Sequence, residues 1–134
     1  MIPEGIYEAN GTIEVPIYRP DPIKTIRTVD ERGDYAKTNF EVIKNGELTD
    51  GTKASFVKVN IETGRTHQIR VHFAHLGTPL LGDTMYGKGR PDICHQALHC
   101  GHAELLQPFT NCKIIVDAPL PQDMNEIICN IHKV

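Results

Sequence analysis

Glu62-Thr63-Gly64-Arg65-Thr66-His67-Gln68-Ile69-Arg70-Val71-His72-Phe73-Ala74-His75-Leu76-Gly77, running on through Leu80-Leu81-Gly82-Asp83 to Tyr86-Gly87, decides how this 134-residue chain is read. Immediately upstream, Lys53 to Ile61 alternates in the manner of a strand, with Phe56, Val57, Val59 and Ile61 supplying the aromatic and β-branched residues that suit a pleated surface. Thr63-Gly64 breaks the alternation and a helix is expected next. Thr63 or Thr66 can cap it, Ile69, Phe73 and Leu76 recur as one apolar stripe, and Gly77 ends it. That stripe is expected to be buried against a sheet.

At about 100° per residue, the stripe leaves Thr66 and Arg70 on one flank, a turn apart, with His67 beyond them. Arg70 therefore sits at the rim of the packed face. A guanidinium there, on a rigid helix, suits a bidentate hold on a carboxylate or phosphate, because it presents a planar fork of donors and keeps its charge. Arg65 lies at the helix start, where free backbone N–H groups also favour an anion.

Thr63-Gly64-Arg65-Thr66-His67-Gln68-Ile69-Arg70-Val71-His72, followed by Gly77-x-Pro79-Leu80-Leu81-Gly82-Asp83 and Tyr86-Gly87, resembles the third signature motif of the RluA-type pseudouridine synthases. Further matches fall in the order of that family's C-terminal half: Gly11-x-Ile13-x-x-Pro16-Ile17, Arg27-x-Val29, Gly33, Ala36-Lys37-Thr38, Ala97-Leu98-His99 and Ala118-Pro119-Leu120-Pro121. The resemblance implies an α+β fold, a mixed, mostly antiparallel sheet with a helix packed on it, forming part of a pseudouridine synthase catalytic domain. It implies that Arg70 pairs with the family's catalytic aspartate, that Arg65, Thr66, His67 and Gln68 line the RNA-binding cleft beside it, and that no metal or organic cofactor is used. The activity implied is isomerisation of uridine to pseudouridine in rRNA or tRNA: an aspartate attacks the flipped nucleoside, the N-glycosidic bond breaks, and the uracil turns and rejoins through carbon.

The family's aspartate motif, His-Arg-Leu-Asp before a Thr-Ser-Gly-like turn, has no counterpart in these residues, and Tyr7-Glu8-Ala9, with only Asn10 before Gly11, lacks the longer connection that follows the family's Tyr-x-Ala strand segment. Residues 1–134 are therefore expected to be the C-terminal portion of the catalytic domain, inactive alone for lack of the aspartate. The alternative is a non-catalytic RNA-binding or fragment-complementing module. Either a missing N-terminal half or self-association is expected to cover the surface such a portion exposes.

Composition is that of a soluble globular protein, and no run approaches the roughly 18 apolar residues of a membrane span. A cytoplasmic setting and no membrane partner follow as expectations. The net charge of −3 is uninformative about acidic partners, because nucleic-acid binding needs a local basic surface. Between Glu62 and Arg90, Arg65, Arg70, Lys88 and Arg90 outnumber Glu62 and Asp83. The resemblance puts Arg19, Lys24 and Arg27 on the RNA-facing side of a loop; solvated surface charges explain them equally well.

Cys94, Cys100, Cys112 and Cys129 lack the close-paired spacing of a zinc ribbon or a secreted disulfide framework. Cys94-His95 through His99-Cys100-Gly101-His102 is the best place for a metal, yet its spacing is equally that of alternating strand faces. His72 and His75 share a helix face without an acidic third ligand, so packing or solvated histidines explain them more simply. Asp83 reads as a buried acceptor that pins its loop through backbone N–H groups or an arginine.

Elsewhere, Met1 to Asn10 reads as a loop or frayed start, with Tyr7 a packing or surface residue. Gly11 to Ile17 and Ala36 to Ile43 read as strands, and Asn45-Gly46 as the turn into the next strand, giving an antiparallel pair. Gln96 to Leu106 and Cys112 to Val116 read as further strands, separated at Gln107-Pro108, where relatives commonly have His-Pro; a short helix from Pro121 through Ile128 follows.

Overall fold

The computed structural model describes residues 1–5, 7, 9–106 and 108–132, with Leu105 described by its backbone alone; Gln107 lies outside the described residues. Its elements follow in the order β1 (Gly11–Glu14), β2 (Ile17–Tyr18), β3 (Thr28–Val29), β4 (Lys37–Glu47), β5 (Lys53–Ile61), α1 (Gln68–His75), β6 (His102–Leu106), β7 (Lys113–Asp117) and α2 (Gln122–Cys129). Strands β1, β4 and β5 form one antiparallel sheet, while β2–β3 and β6–β7 form two-stranded ribbons, also antiparallel. This is the α+β arrangement expected, with α1 against the main sheet.

The long β4–β5 pair corrects the position of the turn. Asn45-Gly46 does not reverse the chain: β4 runs through it, with Asn45 opposite Ser55 and Gly46 opposite Ala54, after a bulge at Ile43. The reversal comes at Asp50-Gly51, where Leu48 donates to the Thr52 carbonyl at 2.8 Å, Asp50 Oδ1 accepts the Thr52 N–H at 3.0 Å and Gly51 takes φ +85°. Asn-Gly and Asp-Gly carry the same local turn chemistry. Burial decides between them: continuing β4 keeps Ala54 and Ser55, both wholly buried, paired in the sheet.

The first residues are also corrected. Met1 and Ile2 are buried rather than frayed, filling the gap between β5 and the loop that follows α1. Their backbone is fully engaged there: Val57 donates to the Met1 carbonyl at 3.0 Å, Ile2 exchanges bonds with Ala97 and Leu81 at 3.0 and 2.9 Å, and Glu4 donates to Pro79 at 2.9 Å. The pull is two apolar side chains leaving water, which propensity rules for Pro3 and Gly5 do not register.

Gln96 to Gly101 is likewise not strand; β6 begins at His102. Ala97 gives its N–H to Leu81 and its carbonyl to Ile2, so this stretch is committed to an irregular core contact. The core has two main parts. Ile2, Leu48, Ala54, Leu81, Ile93 and Ala97 pack with Met124, Ile127 and Ile131 around α2. Met1, Ile13, Val57, Phe73 and Leu80, with Tyr7, Phe40 and Ile69 against them, pack under α1. Tyr7, Phe40 and Phe73 meet edge to face, so Tyr7 is a packing residue.

Helix α1 sits in a crook rather than on a flat sheet, and this alters its buried face. Ile69 and Phe73 meet the main sheet as expected, but Leu76 is 45% exposed. Its place is taken by Gln68, Val71 and His72, which turn toward β4 and the β2–β3 ribbon. Gly77, at φ +81°, ends the helix in a Schellman turn: Thr78 donates to the Phe73 carbonyl and Gly77 to that of Ala74, each at 2.9 Å. Leu76 lies in that turn, past the packed part of the helix.

Candidate functional site: an arginine clamped by an aspartate

The site is built on the two turns flanking α1. Gln68, the first helical residue, is a fastener. Its Oε1 accepts from Thr63 Oγ1 and the Arg65 N–H at 2.8 and 3.0 Å, and its Nε2 donates to the Lys37 carbonyl and Thr38 Oγ1, both at 3.0 Å. All four hydrogen-bonding positions of its amide are used, which ties the 62–67 turn to β4. Neither Thr63 nor Thr66 caps the helix: the N-cap is His67, in the left-handed conformation at φ 55°, ψ 20°, with no side-chain cap bond.

One turn on, Arg70 reaches back to the loop after the helix. Its Nε and Nη2 donate to Asp83 Oδ2 and Oδ1 at 2.9 and 2.8 Å, with 13% of the Arg70 side chain and none of the Asp83 side chain exposed. Asp83 Oδ1 also accepts the N–H groups of Met85 and Tyr86 at 3.1 and 3.2 Å. Burial works to raise the Asp83 carboxyl, but the Arg70 guanidinium and the two N–H groups outweigh it, and the net result lies below the ordinary carboxylate range. Asp83 is the pinned acceptor its sequence context suggested.

The clamp leaves half of Arg70 uncommitted. Side-on bonding takes Nε–H and one Nη2–H; both Nη1 hydrogens and the second on Nη2 make no hydrogen bond among the described residues. A guanidinium held in this way offers its end-on edge to a second planar acceptor.

Tyr86 joins His67 to this pair. Its hydroxyl lies 2.9 Å from His67 Nδ1 and accepts the Arg27 N–H at 2.9 Å; the two rings meet edge to face at 5.7 Å, and Arg70 Cζ lies 5.2 Å from the Tyr86 centroid. Burial, then the nearby Arg70 and Arg27 charges, push the His67 imidazole below its ordinary pKa. Of the residues singled out from the sequence, His67 and Arg70 thus meet across Tyr86. Arg65 and Thr66 stand exposed in the turn before them, Arg65 Nε bonding the Tyr35 carbonyl at 2.8 Å, and Gln68 lies buried beneath. Sequence reasoning placed Tyr86 in the signature motif, as Tyr86-Gly87, but gave its side chain no role. Arg27 enters through its backbone, which no side-chain pattern reveals.

Among the described residues no group of three or more His, Cys, Asp and Glu side chains could hold a metal, and the four cysteines are free and exposed. His95 is paired with Asp123 at 2.8 Å and His102 with Asp117 and Glu104. No helix among the described residues is long and apolar enough to cross a membrane.

Fold and site together define a class: an α+β domain in which an aspartate from the loop after a helix holds, side-on, an arginine of that helix. A sequence profile of the RNA pseudouridylate synthases matches residues 4–75, more than half of the chain. The chain belongs to that family. It is 46% identical over 123 residues to the uncharacterized RNA pseudouridine synthase YjbO of Bacillus subtilis, covering 90% of this chain and 41% of that protein. It is 34% identical over 139 residues to ribosomal large subunit pseudouridine synthase D of Escherichia coli, covering 92% and 41%. The solved structure of human RNA pseudouridylate synthase domain containing 1 superposes with a TM-score of 0.81 at 28% identity, over 99% of this chain and 58% of that one. The chain thus spans about two fifths of the length of the curated relatives it matches.

Proposed function

We propose that this chain supplies the arginine side of an RNA pseudouridine synthase active site, the part that keeps a nucleophilic aspartate ionised and aimed while uridine is isomerised to pseudouridine. The observation that carries this reading is the manner in which Arg70 is held. Asp83 occupies one edge of the guanidinium and leaves the other for a second carboxylate. An opposite charge within about 4–6 Å favours the ionised form of an acid, so an aspartate docked there stays a nucleophile. That aspartate attacks the flipped nucleoside, the N-glycosidic bond breaks, and the uracil turns and rejoins the ribose through carbon. Extruding the base costs a few kcal/mol, which the cleft beside Arg65, Thr66 and His67, with Gln68 buried beneath them as their support, has to offset.

In this reading, residues 1–134 form the C-terminal portion of the catalytic domain and the aspartate comes from the portion that the longer relatives carry in addition. The substrate is RNA in the cytoplasm; the name of the Escherichia coli relative favours rRNA over tRNA. The reaction needs no metal or organic cofactor. The test is direct. Incubated with rRNA, the 134-residue chain alone forms no pseudouridine; joined behind the aspartate-bearing portion of YjbO it does, and Arg70→Ala lowers that conversion at least about a hundredfold. Conversion by the chain alone, or an Arg70→Ala chimera of full activity, would refute the reading.

A specific observation also favours the complementing role. In the β6–β7 hairpin, His102, Glu104, Lys113 and Asp117 form an ion network on one face, while Ala103 and Val116 pair on the other, where Ile114 also lies. Val116 and Ile114 are 51% and 41% exposed, and β6 and β7 pair only with each other among the described strands. A lone two-stranded ribbon with an open apolar face suits completion by further polypeptide, either the rest of the domain or a second copy.

A further inference from the structure

We propose that Tyr86 is a positioning residue that fixes the His67 imidazole as its neutral Nε2–H tautomer, so that His67, beside the one Nη1 hydrogen of Arg70 that a docked carboxylate leaves over, acts as a donor toward an oxygen of the RNA nucleotide. This rests on the RNA reading above and adds to it a residue and a protonation state.

The argument starts from the Tyr86 hydroxyl, which has one hydrogen and lone pairs to share. The Arg27 backbone N–H already donates to it at 2.9 Å, so the hydroxyl hydrogen is free to point at His67 Nδ1, also 2.9 Å away. A ring nitrogen that accepts a hydrogen bond carries no hydrogen, which leaves the ring proton of a neutral imidazole on Nε2. The neighbours keep the ring neutral. Arg70 and Arg27 both lie close enough to repel a positive charge on it, and the one facing acid, Asp83, is already spent on Arg70 and two backbone N–H groups. Nε2 makes no hydrogen bond among the described residues.

The backbone supplies an independent sign. Outside glycine, positive φ is taken by only His67 and Asn111 among the described residues. Left-handed backbone is disfavoured for a residue with a Cβ, and such strain persists where the surroundings over-determine it. Here it turns the imidazole onto Tyr86 at the point where a side-chain cap would ordinarily stand. His67 makes no side-chain cap bond at φ 55°, and its Nδ1 lies instead against the Tyr86 hydroxyl.

The experiment has two arms on the 134-residue chain. Nitrogen-detected NMR of the unaltered chain at neutral pH should show the His67 proton on Nε2, and Tyr86→Phe should raise the Nδ1–H fraction severalfold. A protonated or Nδ1–H ring in the unaltered chain overturns the proposal without reference to RNA and needs no variant to fold. In the second arm, fluorescence anisotropy reads binding of an oligouridylate and of an abasic strand of equal length. His67→Gly keeps the left-handed turn at no steric cost and should weaken binding about tenfold, the loss of one charge-assisted or buried hydrogen bond. Weakening with both strands assigns the donor to a phosphate oxygen, and weakening with oligouridylate alone to a uracil carbonyl. Unchanged binding of both overturns the donor role. If the unaltered chain binds neither strand, the RNA reading falls while the tautomer result still decides the role of Tyr86.

Discussion

His72 has both ring nitrogens committed inside the protein: Nε2 donates to the Val15 carbonyl at 3.0 Å, and Nδ1 faces Thr38 Oγ1 at 2.8 Å. Nε2, facing a carbonyl, must carry a hydrogen, and burial disfavours a second one on Nδ1, which leaves Nδ1 to accept from the Thr38 hydroxyl. Burial pushes its pKa below the usual 6.5, with His75 opposing the charge further. The sign follows. Below about pH 6.5 the unfolded chain takes up a proton that the folded chain resists, so stability is complete above that pH and falls beneath it, by about 1.4 kcal/mol for each pKa unit of depression. His95 and His102 act oppositely, since the Gln96 carbonyl and then Asp123 raise the pKa of the first, and Asp117 and then Glu104 that of the second. The comparison is therefore with His72→Gln: urea midpoints of the unaltered chain should fall more steeply from about pH 7 to about pH 5 than those of the variant. Parallel profiles would show that His72 does not titrate between the two states. From sequence, His72 was one of three histidines near a motif; only the approach of Thr38 and Val15 from elsewhere in the chain tells it apart from the exposed His75.

At the scale of the element, β5, the end of α1 at Gly77 and the antiparallel β4–β5 pair were legible, because each rests on a local pattern: alternation, an apolar pair one turn apart, a glycine where the helix must stop. What was illegible depends on partners. The apolar stripe ran one residue too far because periodicity says which residues share a face but not how long the opposing surface is. Gln68 was readable as a polar residue at a helix start and unreadable as a four-bond fastener. The loop after α1 offers a test at this scale. Gly82 has φ +76°, and a Cβ on it would lie 2.3 Å from the His95 carbonyl oxygen and 2.7 Å from Ile93 Cγ2. Gly82→Ala should cost at least about 2 kcal/mol, from backbone strain and a clash with main chain that cannot rotate away. Thermal melts should show a loss of about 8 °C or more, and because Asp83 is the next residue, the Arg70 clamp should loosen with it. A melting curve like that of the unaltered chain would mean the loop yields more easily than its contacts imply.

For the whole molecule, the family resemblance was densest in residues 63–87, with shorter matches in order from Gly11 to Pro121; the route of the chain between them had to be seen. Met1 to Glu4 threading into the core could not be read from residues that look like a loop. The open β6–β7 face follows from what lies next to it in space. Alone, the 134-residue chain should cover that face by self-association: sizing chromatography should give a dimer or larger species at high concentration, and the double substitution Ile114→Lys, Val116→Lys, which charges the apolar face, should shift it toward monomer. A clean monomer throughout would mean the hairpin is soluble as it stands. The Arg70–Asp83 clamp has a different reach. Its two members lie thirteen positions apart on one continuous run of chain, so this buried ion pair is assembled by local folding. Under the proposed function, an aspartate docking there would meet a counter-charge already in place, arranged by the fold rather than by the docking step.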